Sequence, residues 1–169
     1  MTIPVASPLS PALQALDAHY RAMPPVAALQ LRIAGYDGAC LRLCAPLAAH
    51  VNDKGCAFGG SLASLMTLAG WGLATLRLQQ AGLAAEVYVA DSNVRYRAPL
   101  YADLEAEARL ADGESWDAVC AALREHGRAR TWLQAWVRLP DGGVAAESRA
   151  RFVAIARPAE GARGHAAAG

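Results

Sequence analysis

Lysine is nearly absent: Lys54 stands alone among 16 basic residues, the rest of which are arginine. Against them stand 15 acidic residues, so the formal net charge is +1, and only 18% of the chain is charged. No basic excess is available to hold a polyanion, which excludes nucleic acid as a bulk electrostatic partner. At 54% apolar residues, the chain has the material for a core and is not an intrinsically disordered one. The arginine bias and the abundance of alanine fit a GC-rich bacterial genome and say little about chemistry.

Cysteine is sparse too. Cys40, Cys44, Cys56 and Cys120 contain no CxxC pair, and no histidine cluster stands near them at zinc-ligand spacing, so no metal is expected. Cys40 and Cys44 share one face of an alternating segment two pitches apart, too far for a disulfide. They read as small buried side chains in a reduced, cytoplasmic protein. The start, MTIPVASPLSPALQ, has neither a basic segment nor a sustained apolar run, so no secretory signal is expected. GxGxxG, P-loop, HExxH and GxSxG motifs are all missing, which removes the dinucleotide, nucleoside triphosphate, zinc-protease and α/β-hydrolase readings.

What is present is one domain's worth of chain. Its 169 residues argue for a single unit over residues 1–157, with a patternless, disordered tail over 158–169. Ser10-Pro11 reads as an N-cap and first-turn proline. Leu13, Leu16 and Tyr20 then recur at helical spacing until Pro24-Pro25. Leu29–Ile33 and Ala39–Leu43 alternate around the turn residues Gly35 to Gly38, predicting a hairpin.

From Gly55 to Leu76 run 22 residues without a charge, enough to cross a bilayer if helical. Five glycines and four Ser/Thr hydroxyls in that run argue instead for a helix wrapped by protein, over Gly60–Ala81 with Gly82 behind it. No membrane span is expected. Four period-two segments follow, Glu86–Arg97, Leu104–Leu110, Arg128–Leu139 and Val144–Ile155, the last two joined by Pro140-Asp141-Gly142-Gly143. The order predicts an α+β fold: a strongly curved antiparallel sheet around one apolar helix, with a short helix in front.

Two stretches stand out for chemistry. His50 to Ser61 places His50, Asn52, Asp53 and Lys54, with Gly55, Gly59 and Gly60, immediately before the buried helix. Glycines admit a ligand close to the backbone, and free N–H groups around Gly60 and Ser61 suit a developing oxyanion. The plain alternative is an entry loop capped by Asn52 or Ser61. The second stretch is Glu86–Arg97. Period two puts Asp91, Asn93, Arg95 and Arg97 on one face, and Tyr88, Ala90, Ser92, Val94 and Tyr96 on the other. If the first face points at the helix, Asp91 and Asn93 are buried polar groups with a task; if it points to solvent, it is an ordinary wet face.

The run Asn52–Leu62 with its FGGS, the following Ala69-Gly70-Trp71, and Val89–Tyr96 with Pro99 resemble the hot-dog fold thioesterases, closest to the family of the YiiD C-terminal type. The resemblance covers about Val26 to Arg157. It implies a hot-dog fold and a homodimer joined edge to edge, leaving open a dimer of dimers. It further implies hydrolysis of an acyl-CoA or acyl-carrier thioester at the subunit interface, with no cofactor beyond the coenzyme A of the substrate. By position it gives Asn52 the water, the Gly60 N–H the thioester carbonyl, and Asp91 the role of general base or of orienting the water. Phe58, Gly59, Ser61, Ser64 and Asn93 would line the site, and Arg95 and Arg97 would meet phosphates of coenzyme A or a carrier arm, the plain alternative being surface arginines.

Related thioesterases carry His-Gly-Gly where this chain has Phe58-Gly59-Gly60, and an acid where it has Arg95, so that catalytic acid does not carry over. A dehydratase using His50 and Asp91, and a non-catalytic acyl-binding module, are the alternatives. Phe58, Met66, Trp71, Trp132 and Trp136 are tunnel linings or plain core.

Overall fold

A computed structural model describes residues 9–158. Ser10 opens α1 (Pro11–Ala22), its hydroxyl accepting from the Leu13 amide, and Leu13, Leu16 and Tyr20 form the buried stripe. One further turn, α2 (Pro24–Ala27), follows. Six strands form a single antiparallel sheet: β1 (Arg32–Tyr36), β2 (Cys40–Ala45), β3 (Ala85–Tyr96), β4 (Leu104–Leu110), β5 (Arg128–Arg138) and β6 (Val144–Ala156). Their spatial order is β1-β2-β4-β5-β6-β3. The central helix α3 (Gly59–Gln80) packs against β2 through β6, so the sheet wraps it. This is the hot-dog arrangement.

The core follows from alternation. Leu41, Leu43 and Ala45 of β2, Leu104, Ala106 and Ala108 of β4, and Leu133, Ala135 and Val137 of β5 all turn inward onto Leu65, Met66, Ala69, Leu73 and Leu76 of α3. Because α3 packs closely against both the sheet and α1, Gly70 and Gly72 have no room for a side chain: a Cβ would lie 2.9 Å from the Phe152 ring and 2.0 Å from Tyr20 Oη, respectively. The uncharged run is thus an interior helix. No described helix is long and apolar enough to cross a membrane.

Four details depart from the sequence expectations. The first strand starts at Arg32 and not at Leu29, because Gln30 takes a left-handed φ of 52° and the chain turns there. Of the two cysteines on β2, Cys40 is buried while Cys44 is only half-buried; both lie on the face turned away from α3. The central helix stops one residue early, at Gln80, with Gly82 in the left-handed conformation behind its cap. A fourth helix, α4 (Trp116–His126), stands where no element was expected. Its Ser115 N-cap, its Gly127 stop and its Val119, Cys120 and Leu123 spacing are legible in retrospect. These three side chains pack with Leu78, Ala129 and Ala154 into a small cluster at the C-terminal end of α3. The tail expected to be disordered lies, from residue 159 onward, outside the described residues.

Candidate active site at the start of the central helix

The loop into α3 is closed by its own polar groups. Asn52 Oδ1 accepts from the Lys54 and Cys56 amides at 2.8 and 3.2 Å, while its Nδ2 faces Cys56 Sγ at 3.3 Å. Both acceptor positions of the Asn52 oxygen are therefore filled, and the side chain can offer a bound water only an N–H. His50 is buried, its Nε2 donating to the Leu29 carbonyl at 2.7 Å, and its own carbonyl accepts from the Phe58 amide at 2.7 Å. His50 thus pins the loop to the turn before β1. Gly55, at φ +78°, makes the reversal that lets Val51 bridge to Ala57.

At the helix start, Phe58 occupies the N-cap position and supplies no side-chain acceptor. The Ser61 and Leu62 amides close back onto the Phe58 carbonyl, whereas the Gly59 and Gly60 amides have no acceptor among the described residues. Two aromatic rings frame these amides. Tyr96 donates its hydroxyl to the Gly59 carbonyl at 3.1 Å, with its ring 3.3 Å from where a Gly59 Cβ would lie. The Phe58 ring stands 2.3 Å from where a Gly60 Cβ would lie. A flat group can approach the pair of amides only because both residues are glycine. Phe58 and Tyr96 are 55% and 57% exposed, so the cradle opens at the surface.

One turn further, Ser64 is exposed and shares the Gly60 face, while Ser61 is buried. Gly60, Ser64, Thr67 and Trp71 fall at i, i+4, i+7 and i+11, a stripe less buried than the rest of the helix. Thr67, a half-buried hydroxyl, was not singled out from the sequence. The spacing from Gly60 was its only signal.

Asp91, Asn93 and Arg95 have a different address. A bulge at Ala90 interrupts β3 between Val89 and Asp91, so that Val89 stands opposite Phe152 and Asp91 opposite Arg151. Phe152 faces α3, hence Asp91, Asn93 and Arg95 point to the sheet face turned away from the helix. The bulge also puts Tyr88 on that outer face, correcting its expected grouping with Ser92, Val94 and Tyr96. Asp91 Oδ2 pairs with Arg151 Nη2 at 2.5 Å, and Arg97 pairs with Glu147 at 2.5 Å. Within the protomer the structure therefore places Phe58, Gly59, Gly60, Ser61 and Ser64 at the start of α3, turns the Asn52 side chain onto its own loop, and separates them from Asp91. It does not bring His50 to Asp91, as a dehydratase pair would need. Met66 is core, Trp71 is half-buried with Nε1 donating to the Val87 carbonyl at 2.9 Å, and Trp132 and Trp136 belong to the outer face.

A family model described as "Putative thioesterase (yiiD_Cterm)" matches residues 13–156. The chain belongs to this YiiD C-terminal thioesterase family. Solved structures agree. A Chlorobaculum tepidum protein of unknown function is 28% identical over 86% of this chain and 93% of its own, with a TM-score of 0.77. A Shewanella oneidensis protein described in the family's own words is 25% identical over 85% and 97%, at a TM-score of 0.76. A Pseudomonas aeruginosa protein described as a probable thioesterase is 25% identical over 89% and 98%, at 0.74. The YiiD C-terminal match spans every strand and α3, and with them the Gly59-Gly60 cradle.

Proposed function

We propose that this chain hydrolyses an acyl thioester, of coenzyme A or of a carrier protein, at the start of α3. The observation that carries the reading is the pair of unpartnered Gly59 and Gly60 amides, held open between Phe58 and Tyr96 at the positive end of a 22-residue helix. Water adds to the thioester carbonyl carbon. The oxygen takes the negative charge and accepts from the two amides, and collapse breaks the C–S bond to give a carboxylic acid and a thiol, the proton passing from the water to sulfur. Donors placed where charge develops are the largest single contribution in such reactions. The hydroxyls of Ser64 and Thr67, on the helix face of Gly60, orient the water, while Asn52 holds the turn of the loop.

Asp91 enters this reading as the partner of Arg151 that holds the bulged strand, not as the base, because its carboxylate lies on the other face of the sheet. Arg97 likewise is engaged by Glu147.

The site is completed by a second copy. Among the described residues β3 is a 12-residue edge strand with no neighbour on one side, and it exposes Tyr88, Val89 and Tyr96. Such an edge is a template for another strand, and pairing β3 with β3 of a second chain joins two sheets and brings the partner's edge beside the cradle. The test is thiol release from a panel of acyl-CoA esters, acetyl to palmitoyl, and from an acyl-carrier protein. The reading expects turnover on at least one of them; silence on all would contradict it.

A further inference from the structure

The outer face of the sheet holds an open cavity of about 580 Å³ that the hydrolysis does not use. Register builds it as a grid across β5, β6 and β3, in rows Trp132–Arg151–Asp91, Gln134–Arg149–Asn93 and Trp136–Glu147–Arg95. Every second residue of each strand faces this way, so the nine side chains share one surface. The charges within it are unequally satisfied. Asp91 is neutralised by Arg151 and Glu147 by Arg97, at 2.5 Å each. Arg149, at the centre, and Arg95, at the rim, have no carboxylate partner among the described residues. Two free guanidinium groups remain.

Trp132 holds one of them in place: the Arg149 guanidinium lies 4.8 Å from the indole centroid, and Arg151 lies 5.8 Å from the same ring. Trp136, about 13 Å further along β5 at strand spacing, walls the other end, and Gln134 stands between the two indoles with both a donor and an acceptor. A guanidinium fixed on an indole is preorganised for the fork geometry of a phosphate. The Arg138 guanidinium lies 5.5 Å from the Trp136 centroid, so a planar ring stacks on the open face of Arg149 or on the part of Trp136 that Arg138 leaves bare, and the Gln134 amide beside it suits the edge of a base. A simple carboxylate would leave the indoles uncovered, and a polynucleotide would need a basic stripe that the paired acids here interrupt.

From this grid we infer that the outer face binds a phosphorylated nucleoside, base against the tryptophan wall and phosphate on Arg149 and Arg95. The volume lies within the range of about 300–1,000 Å³ usual for small-molecule sites. The nucleotide is either free or the nucleotide end of a larger ligand such as coenzyme A. Binding here does not depend on thioester hydrolysis, so its failure and the failure of the proposed activity are separate results.

The test is titration of the full chain with ADP, adenosine, inorganic pyrophosphate and coenzyme A, followed by tryptophan fluorescence and by calorimetry, for the native protein and for Arg149→Met and Arg95→Met. Both arginines are exposed, so the variants fold. ADP is expected to quench the fluorescence and bind at least tenfold more tightly than adenosine or pyrophosphate, with at least tenfold loss in Arg149→Met. If coenzyme A binds as ADP does and suffers the same loss, the site also takes the nucleotide end of the larger ligand; if it does not bind, the site takes free nucleotide. No ADP binding at millimolar concentration, or binding indifferent to both substitutions, overturns the inference. So does a four-chain particle that Arg149→Met splits while ADP fails to bind, since the face would then belong to a second dimer.

Discussion

Single residues show where a sequence motif has one meaning and where it has two. The glycine pair that opens α3 has one, because a Cβ at Gly60 would meet the Phe58 ring where it stands. Asn52 has two, a water ligand or a turn former, and the amides of Lys54 and Cys56 that occupy its oxygen decide for the turn. Nothing in the sequence distinguishes these, since an Asx turn depends on which way the backbone folds back. A second such turn is formed by Asp37, whose carboxylate accepts from the Cys40 and Ala39 amides and lies beside Arg42. These bonds, the one from Cys40 first, hold its pKa below the usual carboxylate value. With the folded pKa depressed, its contribution to stability is complete above the unfolded value near 3.9 and fades as pH falls through the lower folded one. Denaturation of Asp37→Asn against the native chain across pH 2–6 should therefore show a gap that closes toward the acid end.

At the scale of elements, alternation made the strands legible, and β5 keeps its inside-out pattern over all 11 residues. Where a strand breaks period, the sequence misleads: the extra residue at Ala90 reassigns Tyr88 relative to Ser92, and a bulge carries no composition signal beyond a small residue. The short helix α4 escaped because Ser115 and Gly127 sit among other turn residues, and the run between them is brief. The central helix reads the opposite way. Its missing polar face announces burial, and its glycines mark close approaches. A Cβ at Gly72 would lie 2.0 Å from Tyr20 Oη and 2.8 Å from Leu41 Cδ2, all of them buried. Gly72→Ala should cost about 1–3 kcal/mol in chemical denaturation, as overpacked cores do. Tyr20 also donates to the Leu68 carbonyl at 2.7 Å, tying α1 to α3. Tyr20→Phe should lose about 1 kcal/mol by the same measurement.

At the scale of the whole molecule, the sheet formed by the described residues has two edges, and of these β3 is both long and apolar at its surface. β1 is five residues long, with a register shift after Ile33, which blunts it as a template. The fold class, the wrapped helix and the loop at its start were readable from the chain. The side of the sheet on which Asp91 lies was not, since period two fixes which residues share a face and not which way the face turns. Val89 is 45% exposed on the free strand. Val89→Lys should convert a two-chain particle into one chain in sedimentation at unchanged monomer stability, and thiol release should fall with it.

The direct measurement is kcat/KM for thiol release from the best ester, compared among the native chain, Gly60→Ala and Asp91→Asn, with circular dichroism confirming that each folds. Gly60→Ala keeps the amide but crowds the approach to it, and is expected to lower kcat/KM by about tenfold, roughly 1.4 kcal/mol, while Asp91→Asn stays within about threefold of native, a difference under 1 kcal/mol. The opposite order, with Gly60→Ala active and Asp91→Asn inert, would contradict the account and place the chemistry on the outer face of the sheet.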